Sequence, residues 1–174
     1  MPAEPQLAPG AIGRPTPAGR DPLRGRYWPG MSNANWPGVS DENVALMLRA
    51  VDAVNRADGD AFVACFHTDV EWEASDDRFP GFGGVYRGRA GVRRWLEEAL
   101  DPWESVRLDL EEIFEAGDDQ VVVGVLMTTR GEESGVETKL RLWQVFWVTD
   151  GRVARRQGPY WVRDEALAAA GLKE

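Results

Sequence analysis

The sequence predicts an α+β fold, with helices on one side of a curved antiparallel sheet. Three observations predict it. Stretches with helical apolar spacing come first, between residues 40 and 100, and four long strand-like segments follow from 104 to 162. Helices first and strands after, rather than strict alternation, is the α+β order. Between the last two strand-like segments sits Asp150-Gly151, the dipeptide that suits a two-residue type I′ hairpin turn.

The elements follow in order. In "SDENVALMLRAVDAVNRAD", Ser40 is a candidate N-cap, and Asp41 and Glu42 fall near the positive end of the helix dipole. Apolar residues recur at Leu46 or Met47, Ala50, Val51 and Val54, a helical stripe that Gly59 is expected to end. "DAFVACFH" reads as a second, short helix with Phe62, Cys65 and Phe66 on one side. "DVEWEAS" sets Val70, Trp72 and Ala74 against Glu71 and Glu73, the alternation of a half-buried strand. A glycine-rich loop, "DDRFPGFGGVYRG", leads into a third amphipathic helix, "RAGVRRWLEEAL", with Val92, Trp95, Leu96 and Leu100 inward and Pro102 as its stop. The strands "ESVRLDLEEIFEA", "DQVVVGVLMTTR", "VETKLRLWQVFWV" and "RVARRQGPYWV" are separated by turn signals and form an antiparallel meander. "RDEALAAAGL" closes as a short helix between Asp164 and Gly171.

The 174 residues suffice for one domain with a real core. Residues 1–40 hold eight of the eleven prolines and six glycines, too little apolar surface to offset ordering entropy. They are expected to form a disordered tail ahead of a domain spanning 41–174, and Met31 is a second candidate start. The tail carries a net +2 and the rest −11. So acidic a body repels phosphate backbones, and nucleic acid is not an expected partner. No apolar run approaches the roughly 20 residues that span a bilayer, and no apolar leader segment opens the chain. The single cysteine, Cys65, precludes an intrachain disulfide, and a cytoplasmic setting is expected. With one cysteine and one histidine, His67, neither a metal site nor a cofactor is expected.

Counting outward from the Asp150-Gly151 turn gives a register. Thr149 meets Arg152, Val148 meets Val153, Phe146 meets Arg155, Gln144 meets Gln157, Leu142 meets Pro159 and Leu140 meets Trp161. One face then carries Leu142, Gln144 and Phe146 with Arg155, Gln157 and Trp161. The other carries Trp143, Val145 and Trp147. Both faces are apolar, so both need covering. Helices cover the first. A second copy of the chain is the expected cover for Trp143, Val145 and Trp147, making a homodimer.

The motifs "AVDAVNRADGDAFVACFHTDVEWEA", "GVYRGRAGVRRWLEEAL", "VFWVTDGRVARRQGPYW" and "DEALAAAGL" resemble, in order, the SnoaL-like (polyketide cyclase-like) branch of the nuclear transport factor 2-like superfamily. The likeness covers about residues 41–172. It implies a cone-shaped curved sheet wrapped around the N-terminal helices, a cystatin-like roll, with a pocket at the wide end and frequent dimerisation. Ketosteroid isomerase, a relative in sequence pattern, uses an aspartate base and an oxyanion hole of a tyrosine and a protonated aspartate. On this chain the tyrosine position falls at Ala50, the base at Ala74 and the oxyanion aspartate at Gln144. Alanine takes no proton and glutamine does not titrate, so isomerisation by that route is not expected. The resemblance also implies an acid and a histidine in SnoaL-type aldol cyclases, and His67 is expected outside the pocket face.

What can still do chemistry is the loop after Trp72. Asp76 continues the inward alternation, and a carboxyl against Trp72 and Phe82 would have its anion disfavoured, raising its pKa toward that of a useful base. The expected site is Asp76 as catalytic group, with Trp72, Phe82, Gln144, Phe146, Arg155, Gln157 and Trp161 around a small apolar or polycyclic ligand. Two classes of function fit: an enzyme acting through Asp76, or a non-catalytic binding or dimerisation module with a vestigial pocket.

Overall fold

The computed structural model describes residues 36–74 and 83–172. Helix α1 (Asp41–Asn55) forms on the expected stripe, and the Ser40 hydroxyl accepts from the Asn43 N–H at 3.3 Å. Glu115 reinforces that start from the sheet. Its Oε1 accepts from the Ser40 N–H at 2.9 Å and from Asn43 Nδ2 at 2.6 Å. Gly59 does not end the helix. Ala57 takes the left-handed turn (φ 52), and Gly59 opens α2 (Gly59–Ala64), which Asp58 caps by accepting from the Ala61 N–H at 2.9 Å. The folded body also begins before residue 41, because Trp36 and Val39 are buried in the core.

Helix α2 is shorter than its apolar side suggests. Phe66 and His67 belong to β1 (Phe66–Ala74), where Val70, Trp72 and Ala74 are buried as their alternation requires. Inside the expected glycine-rich loop a four-residue strand, β2 (Gly84–Arg87), pairs antiparallel with β1. Helix α3 (Gly88–Leu100) follows, with Val92 and Leu96 buried. The meander β3 (Trp103–Ala116), β4 (Gln120–Gly131), β5 (Glu137–Thr149) and β6 (Arg152–Tyr160) runs as expected, and α4 (Arg163–Ala169) closes the chain.

The six strands lie in the order β2-β1-β6-β5-β4-β3. All neighbours are antiparallel except β1 and β6, which run parallel, so the sheet is mixed. Bulges interrupt β3 between Leu110 and Glu112 and the β5–β6 pair at two places. Bulges bend and twist the strands that carry them, and the sheet curves around α1–α3.

That curvature separates two cores. The main one joins α1–α3 to the inner face through Leu46, Phe66, Val70, Val92 and Val153. The smaller one lies outside, where Ala166 and Leu167 of α4 and Ala170 just after it pack with Val122 and Val145. The chain thus covers part of its own outer face, which had been expected to wait for a second copy. Val145 is fully buried, while Trp143 and Trp147 are half-buried. Among the described residues no helix is long and apolar enough to cross a membrane.

Candidate functional site

Between α1–α3 and the inner sheet face lies a cavity of about 230 Å³. Its helical wall is Met47, Ala50, Val51 and Val54 from α1 with Trp95, Leu96 and Ala99 from α3. Its sheet wall includes Val123, Val125, Leu142 and Phe146. Trp72 is the hub of its aromatic lining. The Trp72 ring lies 4.5 Å from Trp95, 5.3 Å from Phe66 and 6.3 Å from Phe146, centroid to centroid, in tilted or edge-on contacts. Such geometry suits aromatic quadrupoles better than face-to-face stacking.

Among the described residues, one charged side chain enters this apolar wall. Arg156 is 2% exposed. It points inward because of a bulge two residues after the turn. Thr149 meets Arg152 and Val148 meets Val153 as counted. Trp147 then meets Arg155, Phe146 meets Arg156, and Val145 meets Gln157. One extra residue, Ala154, reverses the facing of Arg155, Arg156 and Gln157, and a second shift at Gly158-Pro159 restores it, so that Pro159 lines the cavity as counted. Arg156 Nε donates to Gln144 Oε1 at 2.9 Å, and Nη1 donates to the backbone oxygens of Glu73 at 2.7 Å and Gly158 at 2.6 Å. Its guanidinium carbon stands 4.7 Å from the Trp72 ring centroid and 5.6 Å from that of Trp95, within cation–π range. Burial pushes its pKa down to about 9, against the pull of Tyr160 and Glu73, and it remains a cation at neutral pH. Among the described residues no carboxylate forms an ion pair with it. The Glu73 carboxylate faces Arg155 Nη2 instead, at 3.5 Å.

The expected site residues therefore separate. Trp72, Gln144 and Phe146 line the cavity. Arg155 and Gln157 do not. By alternation both lie on the outer face, where Arg155 stacks over Trp147 at 4.6 Å. Trp161 packs against the main core without lining the cavity. Asp76 and Phe82 lie outside the described residues. Arg156 is the residue that counting missed. The only sequence signal for it is the doublet Arg155-Arg156, in which a single bulge exchanges one arginine for the other.

Ala50, Ala74 and Gln144, the positions assigned to the isomerase acid–base groups, all line the cavity. His67 sits in β1 with its Nε2 2.6 Å from the Thr149 carbonyl, an acceptor without a proton, so Nε2 is the donor. It is not part of the cavity wall. No group of three or more His, Cys, Asp or Glu side chains among the described residues is placed to hold a metal ion.

The family model for the SnoaL-like domain matches residues 47–156. No curated protein matches the chain. Among solved structures, TerC co-crystallised with polyporic acid is similar at 22% identity, covering 75% of this chain and 98% of its own, with a TM-score of 0.61. RV0760c from Mycobacterium tuberculosis, in complex with estradiol-17beta-hemisuccinate, is similar at 16% identity over 71% of this chain and 95% of its own, with a TM-score of 0.58. Delta 5-3-ketosteroid isomerase from Mycobacterium sp. is similar at 20% identity, again over 71% and 95%, with a TM-score of 0.56. At these identities the likeness is one of fold.

Proposed function

The chain belongs to the SnoaL-like domain family, and from that premise we propose that it binds a small, ring-bearing, largely apolar molecule between its helices and its sheet. One observation carries this reading: a cavity of about 230 Å³ whose lining side chains, among the described residues, are apolar except for Gln144 and Arg156. Concave apolar sites with a few convergent polar groups are what small-molecule binding uses. Two of the similar structures hold polyporic acid and estradiol-17beta-hemisuccinate, which supports a ligand of that general size and character. Trp72, Phe146 and Gln144 are the contacts we assign, with Arg156 in the place that counting gave to Arg155 and Gln157.

A thermal-shift screen with polycyclic and terpenoid compounds tests the reading. A ligand at about a hundredfold its Kd adds about 2.7 kcal/mol to stability, which a melting curve resolves. Ala50→Phe, which puts a ring into the cavity wall, is expected to abolish the shift. Hits that stabilise wild type and Ala50→Phe alike would reject the site. For turnover we nominate Asp76, two positions beyond the cavity-lining Ala74. Asp76→Asn should then remove turnover of a hit and keep its binding, and turnover that survives would exclude this base.

The same reading takes the protein as a cytoplasmic homodimer. Trp143 and Trp147 stay half-buried beside α4, and their uncovered edges supply the contact. Sedimentation velocity over a concentration series checks this, and a monomer throughout would reject it.

A further inference from the structure

The polar side chains around the cavity have one property in common: they offer donors. Arginine has no acceptor, so Gln144 must turn its oxygen toward Arg156 Nε, and the 2.9 Å contact is made by Oε1. That orientation leaves the Gln144 amide N–H groups without a partner among the described residues. Arg156 spends Nε on Gln144 and both Nη1 protons on the carbonyls of Glu73 and Gly158, so Nη2 has no hydrogen-bond acceptor among the described residues. Trp72, whose side chain lines the cavity, has its Nε1–H buried without an acceptor. Among the described residues lining the cavity there is no carboxylate, hydroxyl or imidazole to answer these donors.

The charge is only partly compensated as well: Tyr160 and Glu73 favour the cation, but among the described residues no carboxylate pairs with it directly. Withdrawing a guanidinium from water is unfavourable, and a hydrogen-bonded opposite charge offsets that cost. In direct contact with it the chain supplies neutral oxygens and two indole faces, but no anion among the described residues. An oxygen anion would complete this end among the described residues, and the surrounding rings require it to be attached to an apolar body.

We propose that the cavity's ligand is an anion, a ring-bearing molecule whose carboxylate or enolate oxygen binds Arg156 Nη2 and the amide N–H of Gln144. This rests on the binding reading above. The ring system fills the space between Trp95 and Phe146, and the oxyanion converts the donor-only end into a charge-assisted network.

Isothermal titration with four probes of one ring size tests it: naphthalene carboxylate, hydroxynaphthoquinone as its enolate, naphthalene carboxamide and naphthylmethylamine. An anion should bind roughly tenfold or more tighter than the amide, with the amine weakest. Which anion binds better identifies the oxyanion. Gln144→Glu supplies the missing carboxylate from the chain and should erase the preference for anions while the amide still binds. Arg156→Lys keeps the charge without the fork and should weaken anion binding. Should Arg156→Lys fail to fold, Gln144→Glu decides alone. An amide or amine that binds as tightly as both anions overturns the inference and leaves the pocket reading standing. Anion preference unchanged in Gln144→Glu also overturns it, because the anion then binds elsewhere. If none of the four binds, the pocket reading falls and this inference with it.

Discussion

Arg156 and Gln144 are diagonal neighbours on the inner face of the β5–β6 pair, joined by a 2.9 Å hydrogen bond from Nε to Oε1. The contact exists because a bulge lets β6 gain a residue on β5. With no bulge, Gln144 would face Gln157, and Arg155 rather than Arg156 would stand opposite Phe146 on the inner face. With it, Arg156 takes the inward place, Gln157 turns outward, and the one remaining amide, Gln144, fixes the orientation of the buried cation.

Gln144→Leu removes the acceptor and leaves a buried charged donor without its partner. Hydrogen bonds to charged groups are worth about 1.5–3 kcal/mol, so the variant should lose about that much stability in urea denaturation. A variant as stable as wild type would mean that Arg156 Nε finds another acceptor.

How much of this was legible follows from what each element needs. Helix α3 and strand β1 were legible because one period runs unbroken along each, Val92 to Leu96 in the helix and Val70, Trp72, Ala74 in the strand. The hairpin turn was legible because Asp150 (φ 50) and Gly151 (φ 70) occupy the left-handed region that Asp-Gly tolerates. Counting failed one step later. A bulge at Ala154 carries no glycine to announce it, and Arg155 and Arg156 are chemically alike, so only the tertiary setting selects which one is buried. Strand β2 was hidden by its length and flanking glycines. The start of β1 was hidden because Phe62, Cys65 and Phe66 also fit a helix face. The outer role of α4 was hidden because a helix of seven residues does not say which face of a sheet it meets.

Gly124 is held by its neighbour. It pairs with Trp143 across β4 and β5, and a Cβ there would lie 2.7 Å from Trp143 Nε1 and 3.1 Å from Cδ1. That Nε1 also donates to Glu112 Oε2 at 3.3 Å. Gly124→Ala must displace the indole and its hydrogen bond together, and should cost about 1–3 kcal/mol by overpacking. Chemical denaturation gives the stability, and a shift in tryptophan emission reports the displaced ring.

Leu167 tests whether α4 is an integral cover. It is 7% exposed and packs in the outer core with Val122 and Val145. Leu167→Ala should destabilise by about 2–4 kcal/mol, the usual range for a large-to-small change in a core. A loss well under 1 kcal/mol, measured by thermal or urea unfolding, would mean that α4 is a loosely held flap.

Tyr86 links β2 to α3 and gives the protein a signature at high pH. Its hydroxyl donates to Glu98 Oε2 at 3.0 Å, with the Arg94 guanidinium 5.2 Å from the ring centroid. Burial, and after it the bond to Glu98 and its charge, raise the phenol above its ordinary value of 10, and Arg94 only partly opposes them. The folded state therefore holds the phenolic proton more tightly than the unfolded chain. Stability from this group is complete below the unfolded value and is lost as pH rises through the interval up to the folded value. Tyr160 is raised too, chiefly by burial, and adds a second loss of the same sign. Arg156, lowered to about 9, acts in the opposite sense but equally in wild type and variant, so it cancels from a comparison. Tyr86→Phe should lose about 1–2 kcal/mol at neutral pH, at the low end for a bond to a charged group because Glu98 is half exposed. It should also lose stability less steeply than wild type between about pH 9 and pH 11, where phenols titrate. Urea midpoints measured across that range separate the two effects. Parallel curves, offset by a constant amount, would leave the hydrogen bond in place and remove Tyr86 as the source of the pH dependence.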